Sequence, residues 1–349
     1  MSILFIDYLS YWGHKNFNKI HIESLLDLGF HLHLVGRVGF FKEFEGYPNV
    51  KITGIPDYFY NKYPWPALTS RLLMAALLIW LRINIKSTNK GGVVISAYDI
   101  LSFWLFRAKG TVFIINHNNI EQLQSKIKLQ LTKMLPPNYI HIALNKNMEV
   151  RLKELLPDYQ TEFVPHGTIT PRYSFKRPTF LHEKEVYLFC PVNQNIDSQL
   201  FRDLISSTEV ESYLKEHNIS FYIKKQLGDS HESSVFKWID SKLIDEEYNY
   251  MIKKSLAIVL PYNTKDFQYR CSGILFECFA YNSKIITTNL PSMSNYISTL
   301  GIPCFYDPRS FISSIENCLS SDERDYDISV FSPAPYWKNV IQRNNIDIL

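Results

Sequence analysis

The sequence predicts an α/β protein of two Rossmann-like, doubly wound domains that face each other across a cleft. Three observations carry this. Short β-rich runs alternate with longer helical stretches in both halves of the chain, the pattern of parallel sheets covered by helices on both faces. The alternation stops after Gly167 and restarts at Val186, leaving an irregular stretch that contains Pro171 and Pro178. The 349 residues suit two domains of about 100–200 residues each. The expected division is 1–168, then 169–334, with 335–349 as a final helix crossing back to the first domain.

The first half justifies this element by element. SILFIDY (2–8) is a buried strand, and KIHIESLLDLG (19–29) has helical spacing closed by Gly29. FHLHLVGR (30–37) and VKITGI (50–55) are strands two and three. A helix is expected over 66–86, a strand in GGVVISAY (91–98) and a helix in DILSFWLFRAKG (99–110). TVFIINH (111–117) and YIHIALN (139–145) are strands around a helix near 121–135, and TEFVPHG (161–167) is a short strand ending in a turn. The second half repeats the pattern. VYLFCPV (186–192), SFYIKKQ (220–226), a short strand at 237–239, LAIVLPY (256–262) and KIITTN (284–289) are its strands. Helices fall between them, notably DEEYNYMIKKS (245–255) and a helix near 272–280, and GIPCFYD (301–307) with a helix over 310–321 closes the unit.

Composition narrows the function. Hydrophobic residues at 46% and charged residues at 20% exclude disorder and collagen. The net charge of +3, from 37 basic and 34 acidic residues, argues against a nucleic-acid binder, which needs a stronger basic excess. It leaves room for work beside an anionic membrane. Five cysteines with no CxxC and no zinc-type spacing read as free thiols in a reducing compartment. The N-terminus has no basic region before its apolar run, so it reads as a strand, not a signal peptide. The longest apolar run, LLMAALLIWL (72–81), falls far short of the ~20 residues that span a bilayer. The expected location is the cytoplasm, at most peripheral to a membrane. The segment 58–86 mixes aromatics, Arg/Lys and a Leu-rich run. Such a composition suits a membrane-interface or lipid-acceptor face, but the favoured reading is a core helix of the first domain with snorkelling ends.

Several motifs are absent. There is no G-x-G-x-x-G after the first strand, no P-loop and no G-x-S-x-G elbow, and His182-Glu183 and His231-Glu232 lack the second His of H-E-x-x-H. The acidic runs at 245–247 and 322–327 read as solvated surface. The strongest constellation is RCSGILFECFAYNSKIITTN (270–289). Ser272-Gly273 opens a helix whose free N–H groups suit an anion, and a glycine lets a phosphate come close. Arg270 just before the turn suits the same phosphate, and Glu277, one turn on, suits ribose hydroxyls. The same residues also fit an ordinary capping Ser, a packing Gly and a surface Glu.

The chain resembles GT-B-fold glycosyltransferases, especially those similar to glycosyltransferase family 4. SGILFECFAYNSKIITT resembles that family's SGxxxEAxAxGxPVIxT, the end of an E-x7-E stretch, and WIDSKLIDEEYNYMIKKSLAIVLPY resembles the segment before it. FIINHNN, ALNKNMEVRLKEL and FVPHGT resemble three further motifs, so the likeness runs in order through nearly the whole chain. The first Glu of E-x7-E falls on Tyr269, with Asp266 as a nearby carboxylate, and the glycine-rich loop after strand one is reduced to Trp12-Gly13-His14-Lys15.

What the resemblance implies is a retaining, metal-independent transfer of a sugar from a nucleotide-diphosphate donor, a UDP-sugar favoured. The acceptor would be a glycan or polyprenyl-linked glycan in surface-polysaccharide assembly (O-antigen, capsule or lipooligosaccharide), beside the inner membrane. Lys224 or Lys225, at a strand end, would join Arg270 and the Ser272-Gly273 turn on the diphosphate. His117 would approach the transferred sugar, with Tyr269 and Asp266 on the donor side. His14 and Lys15 would meet acceptor or phosphate, and His166 would shape the hinge. Two rivals stay open: a sugar-nucleotide epimerase of the same fold, and a non-catalytic nucleotide-sugar-binding scaffold, which Tyr269 in place of Glu favours.

Overall fold

The structure is a computed structural model that describes residues 2–10, 14–60, 67–84, 92–103, 106, 108, 110–117, 119–169, 171, 174–192, 194–225, 233–239, 243–322, 325–344 and 346. The chain divides into two compact units, 1–167 with 331–349, and 168–330.

The first unit runs β1 (Ser2–Asp7), α1 (Lys15–Asp27), β2 (His31–Arg37), β3 (Val50–Ile55), α2 (Ala67–Asn84), β4 (Val93–Ala97), α3 (Ile100–Phe103), β5 (Val112–Ile115), α4 (Lys126–Lys133), β6 (Tyr139–Ala143), α5 (Lys146–Leu155) and β7 (Thr161–Phe163). Its seven strands are ordered β3-β2-β1-β4-β5-β6-β7, and every pairing is parallel. Strands β4, β5 and β6 are buried at every residue, as a sheet covered on both faces requires. The strand order reverses between β1 and β4, so the loops after β1, β4 and β5 meet at the point where such sheets bind ligands.

The second unit runs β8 (Val186–Cys190), α6 (Ser198–Ile205), α7 (Thr208–Glu216), β9 (Ile219–Lys224), β10 (Phe236–Ile239), α8 (Asp245–Lys254), β11 (Ala257–Leu260), α9 (Gly273–Ala280), β12 (Ile285–Thr287), α10 (Ser294–Thr299) and α11 (Pro308–Ser320). Its sheet, β10-β9-β8-β11-β12, is also parallel and reverses between β8 and β11. Helix α9 is the next named element after β11, which brings its N-terminus to the side of that reversal. The chain then returns to the first unit as α12 (Ala334–Arg343). Trp337 of α12 is fully buried, and its Nε1–H donates to His21 Nδ1 of α1 at 3.0 Å.

Two expectations need correction. The helix expected over 99–110 stops at Phe103: Phe106 N–H bonds the Phe103 carbonyl three residues back at 2.9 Å, and the two buried rings stack. The helix near 121–135 is a 3-10 turn, Glu121–Gln124, followed by α4, because Ser125 between them is extended (φ −72°, ψ 121°). GIPCFYD joins the sheet through a parallel bridge, Cys304 to Thr287. The Trp12-Gly13 turn, His231-Glu232 and part of the acidic run at 322–327 lie outside the described residues.

The first unit buries three histidines in a way that makes it acid-sensitive. Burial pushes His21 down to about 3 and His141 and His166 each to about 4, from an ordinary value near 6.5. The folded state holds these rings neutral, whereas the unfolded chain takes up protons below about pH 6.5. The stability contributed by these neutral rings is therefore full above that pH and is lost as pH falls toward 4. The melting temperature should drop steadily between pH 6.5 and 5, a window above the usual carboxylate range, and His166→Gln should flatten the drop. A melting temperature constant from pH 7 to 5 contradicts this reading.

Candidate active site

In the second unit the segment 263–273 leads from β11 into α9. Ser272 caps α9: its Oγ accepts the Leu275 N–H at 3.1 Å and shares a 2.9 Å hydrogen bond with the buried Tyr262 hydroxyl. Thr288 Oγ1 donates to the Tyr262 carbonyl at 2.8 Å, which ties the end of the IITT motif to the end of β11. Ser292 Oγ donates to the Arg270 carbonyl at 2.7 Å. The helix start is thus held rigid by side chains, while Gly273 is exposed and a Cβ placed on it would meet nothing within 4 Å. A helix N-terminus with free N–H groups and open space above its glycine suits an anion.

Glu277 lies one turn along α9. Its Oε2 accepts the Tyr248 hydroxyl of α8 at 3.1 Å. Burial first, and then the Glu277 charge, push Tyr248 well above its ordinary range, so that hydroxyl stays protonated and donates. Lys224 ends β9 with its ammonium 5.9 Å from the Tyr248 ring. Burial lowers its affinity for a proton, and the Glu277 carboxylate opposes that effect. Lys224, Tyr248 and Glu277 therefore form one group beside the α9 helix. Arg270, Tyr269 and Asp266 are all half-buried on the segment before it, where the Asp266 N–H bonds the Asn263 carbonyl at 3.0 Å. Lys225 is exposed.

In the first unit, three of the singled-out histidines come together around Phe17. The His14 and His117 rings stack with centroids 4.4 Å apart and planes at 14°. Phe17 stands edge-on to His117 at 4.8 Å and beside His166 at 4.9 Å, and His117 lies 5.6 Å from His166. His14 takes a left-handed backbone (φ 63°), uncommon outside glycine, at the start of α1. The buried Asp7 shapes its loop by accepting the Ser10 N–H at 2.9 Å and the Asn18 amide at 2.6 Å. His14 and Ser10 share a 3.3 Å hydrogen bond, and burial lowers the His14 pKa against the opposing Asp7 charge.

The residue before His117 is fixed by hydrogen bonds. Asn116, fully buried at the end of β5, accepts the Tyr98 hydroxyl at 2.8 Å and donates to the Ile114 and Ile142 carbonyls at 3.1 and 3.2 Å. His166 donates from Nδ1 to the Gly167 carbonyl at 3.1 Å. Gly167 has φ +83°, and a Cβ there would come within 2.4 Å of Ile20, so this turn accepts only glycine. Lys15 leaves the group: it is ion-paired with Glu43 at 3.1 Å. Among the described residues no set of three or more His, Cys, Asp or Glu side chains is placed to hold a metal ion.

Sequence reasoning missed Phe17, the centre of the histidine group, and Tyr248, which holds Glu277. The only signal for Phe17 is its position one helical turn beyond His14. For Tyr248 there is none, because it approaches Glu277 from a different helix.

No protein-family model and no curated protein sequence matches this chain. Solved structures do. A trehalose-6-phosphate protein from E. coli bound with UDP-2-fluoro glucose superposes with a TM-score of 0.67 at 12% identity, over 99% of this chain and 96% of its own. A UDP-forming α,α-trehalose-phosphate synthase from Burkholderia xenovorans gives 0.67 at 11% identity, over 99% of both chains. The fold is GT-B. A glycosyltransferase of kitacinnamycin, at 0.55 and 9% identity over 98% of both chains, shares it. This agrees with two parallel α/β units, each reversing strand order at its centre.

Proposed function

We propose that the protein is a glycosyltransferase that moves a sugar from a nucleoside-diphosphate sugar to an acceptor glycan. One observation carries this reading on the GT-B fold. The capped α9 N-terminus, Arg270 before it, and Glu277 with Lys224 beside it assemble at the strand-order reversal of the second unit. Departure of a nucleoside diphosphate from the anomeric carbon leaves negative charge on the β-phosphate. The helix N-terminus, Arg270 and Lys224 would neutralise that charge where it develops. In this reading they do so without a metal. Glu277, already oriented by Tyr248, would accept ribose hydroxyls. His117 would orient the sugar, with Asp266 and Tyr269 on the donor side and His14 toward the acceptor. A UDP-sugar is the favoured donor, supported by the UDP-sugar ligand of one structural neighbour and the UDP-forming reaction of another. Retention of configuration, a lipid-linked or free surface-polysaccharide acceptor and a cytoplasmic site complete the reading.

Arg270→Ala and Lys224→Ala test it. Each should remove a charge-assisted hydrogen bond, which costs about 1.5–3 kcal/mol, or roughly tenfold or more in affinity. Calorimetric titration with UDP should show the loss in both variants. Affinity unchanged in both removes the diphosphate from this site. Tyr269, standing where the resemblance places a Glu, favours a second reading, a binding protein without turnover.

A further inference from the structure

Helix α2 is apolar on two opposite faces, and the fold covers only one. Met74, Leu77, Leu78 and Leu81 are buried in the first unit. Leu72, Ile79 and Ile83 are 62%, 55% and 68% exposed, and Ala76 between them is exposed too. At about 100° per residue these four positions fall within roughly 60° of one another, directly opposite the buried set. A large aliphatic side chain that merely tolerates solvent is unremarkable alone, but a three-turn aliphatic stripe is not.

The sequence around the stripe points to what covers it. Helical register places positions 71 and 82, both arginine, on one flank of the stripe, at roughly 80–100° from Leu72. The opposite flank carries Trp80, at 6.3 Å from Phe59, whose ring lies 4.3 Å from the 56%-exposed Tyr58. From residue 58 to 90 the chain has five basic residues and no acidic one. An aliphatic stripe, an aromatic flank and a surrounding sequence that is basic and free of acidic residues are together the chemistry of a helix lying in an anionic membrane interface. A second copy of the same face would bring like charges together. No described helix is long and apolar enough to cross a membrane, so the helix would lie in the surface and not span it.

We propose that the outward face of α2 docks the protein on a bilayer containing anionic phospholipid. The inference stands apart from sugar transfer and is read by an assay without turnover. Purified full-length protein is floated with vesicles of phosphatidylcholine alone, or of phosphatidylcholine with phosphatidylglycerol, at low and high salt. Wild type should bind the anionic vesicles at least about tenfold better than the neutral ones, and high salt should weaken that binding, because the attraction of basic residues to an anionic surface is screened by salt. Ile79→Glu/Ile83→Glu should abolish binding, and Arg71→Glu/Arg82→Glu should weaken it, with unchanged circular dichroism. Ile79→Ser/Ile83→Ser, a milder pair, covers the case in which the glutamates disturb folding, and should still weaken binding. Three results overturn the proposal: no binding to anionic vesicles, binding indifferent to both isoleucine pairs, or a wild-type dimer that either pair dissolves without any vesicle binding.

Discussion

His117→Ala should lower turnover by about 10²-fold or more, the usual scale for a positioned polar group, while nucleotide affinity changes little. Asn116, the residue before His117, is pinned by the Tyr98 hydroxyl and by two carbonyls, so the end of β5 has little freedom. The His14 ring stacks on the His117 ring at 4.4 Å. The groups proposed for the nucleotide belong to the other unit, so losing His117 leaves them intact. An interaction made chiefly as the sugar departs shows in kcat and not in nucleotide Kd. A purely structural imidazole, filling space among His14, Phe17 and His166, predicts the reverse: a lower melting temperature with near-normal turnover. Melting temperature, UDP affinity and kcat measured on this one variant decide between them.

Gly273→Val should cost at least about tenfold in donor affinity, the scale of losing charge-assisted hydrogen bonds to the helix start, with the fold intact. The two effects separate cleanly at this residue. A Cβ there would meet nothing within 4 Å, and its φ is not left-handed, so the first side-chain carbon meets neither a clash nor backbone strain in the free protein. Ser272 remains to cap the helix through Leu275. Only a ligand seated on the helix N–H groups would collide with the added methyls. An unchanged UDP affinity in a folded Gly273→Val variant means that no phosphate sits there. Gly167 is the counterexample within the same chain: there the added Cβ meets Ile20 at 2.4 Å, so substitution should damage the fold itself.

The β–α alternation made both sheets legible, because strands buried on both faces read as unbroken apolar runs whatever surrounds them. Ser272, Gly273 and Glu277 were legible for a related reason: cap, turn and next-turn carboxylate are a local pattern on one helix. What crosses between elements was not. Tyr248 meets Glu277 from α8, and His14, Phe17, His117 and His166 come from three separate stretches of chain. The helix expected over 99–110 ends at Phe103, where the Phe106 N–H turns back to the Phe103 carbonyl. The aromatic and basic run at 58–86 supported two readings at once, and α2 contains both: a core face and an outward apolar face.

Sugar transfer is tested most directly by release of nucleoside diphosphate. The wild-type protein would be incubated with a panel of nucleotide sugars that includes UDP-glucose, with and without oligosaccharide and lipid-linked acceptors, while free diphosphate and new glycosidic product are followed together. Release of UDP coupled to product is expected with at least one donor, reduced about 10²-fold in His117→Ala and restored in part by higher donor concentration in Arg270→Ala. Tight donor binding with no release across the panel, or a donor recovered with its sugar isomerised, would contradict it.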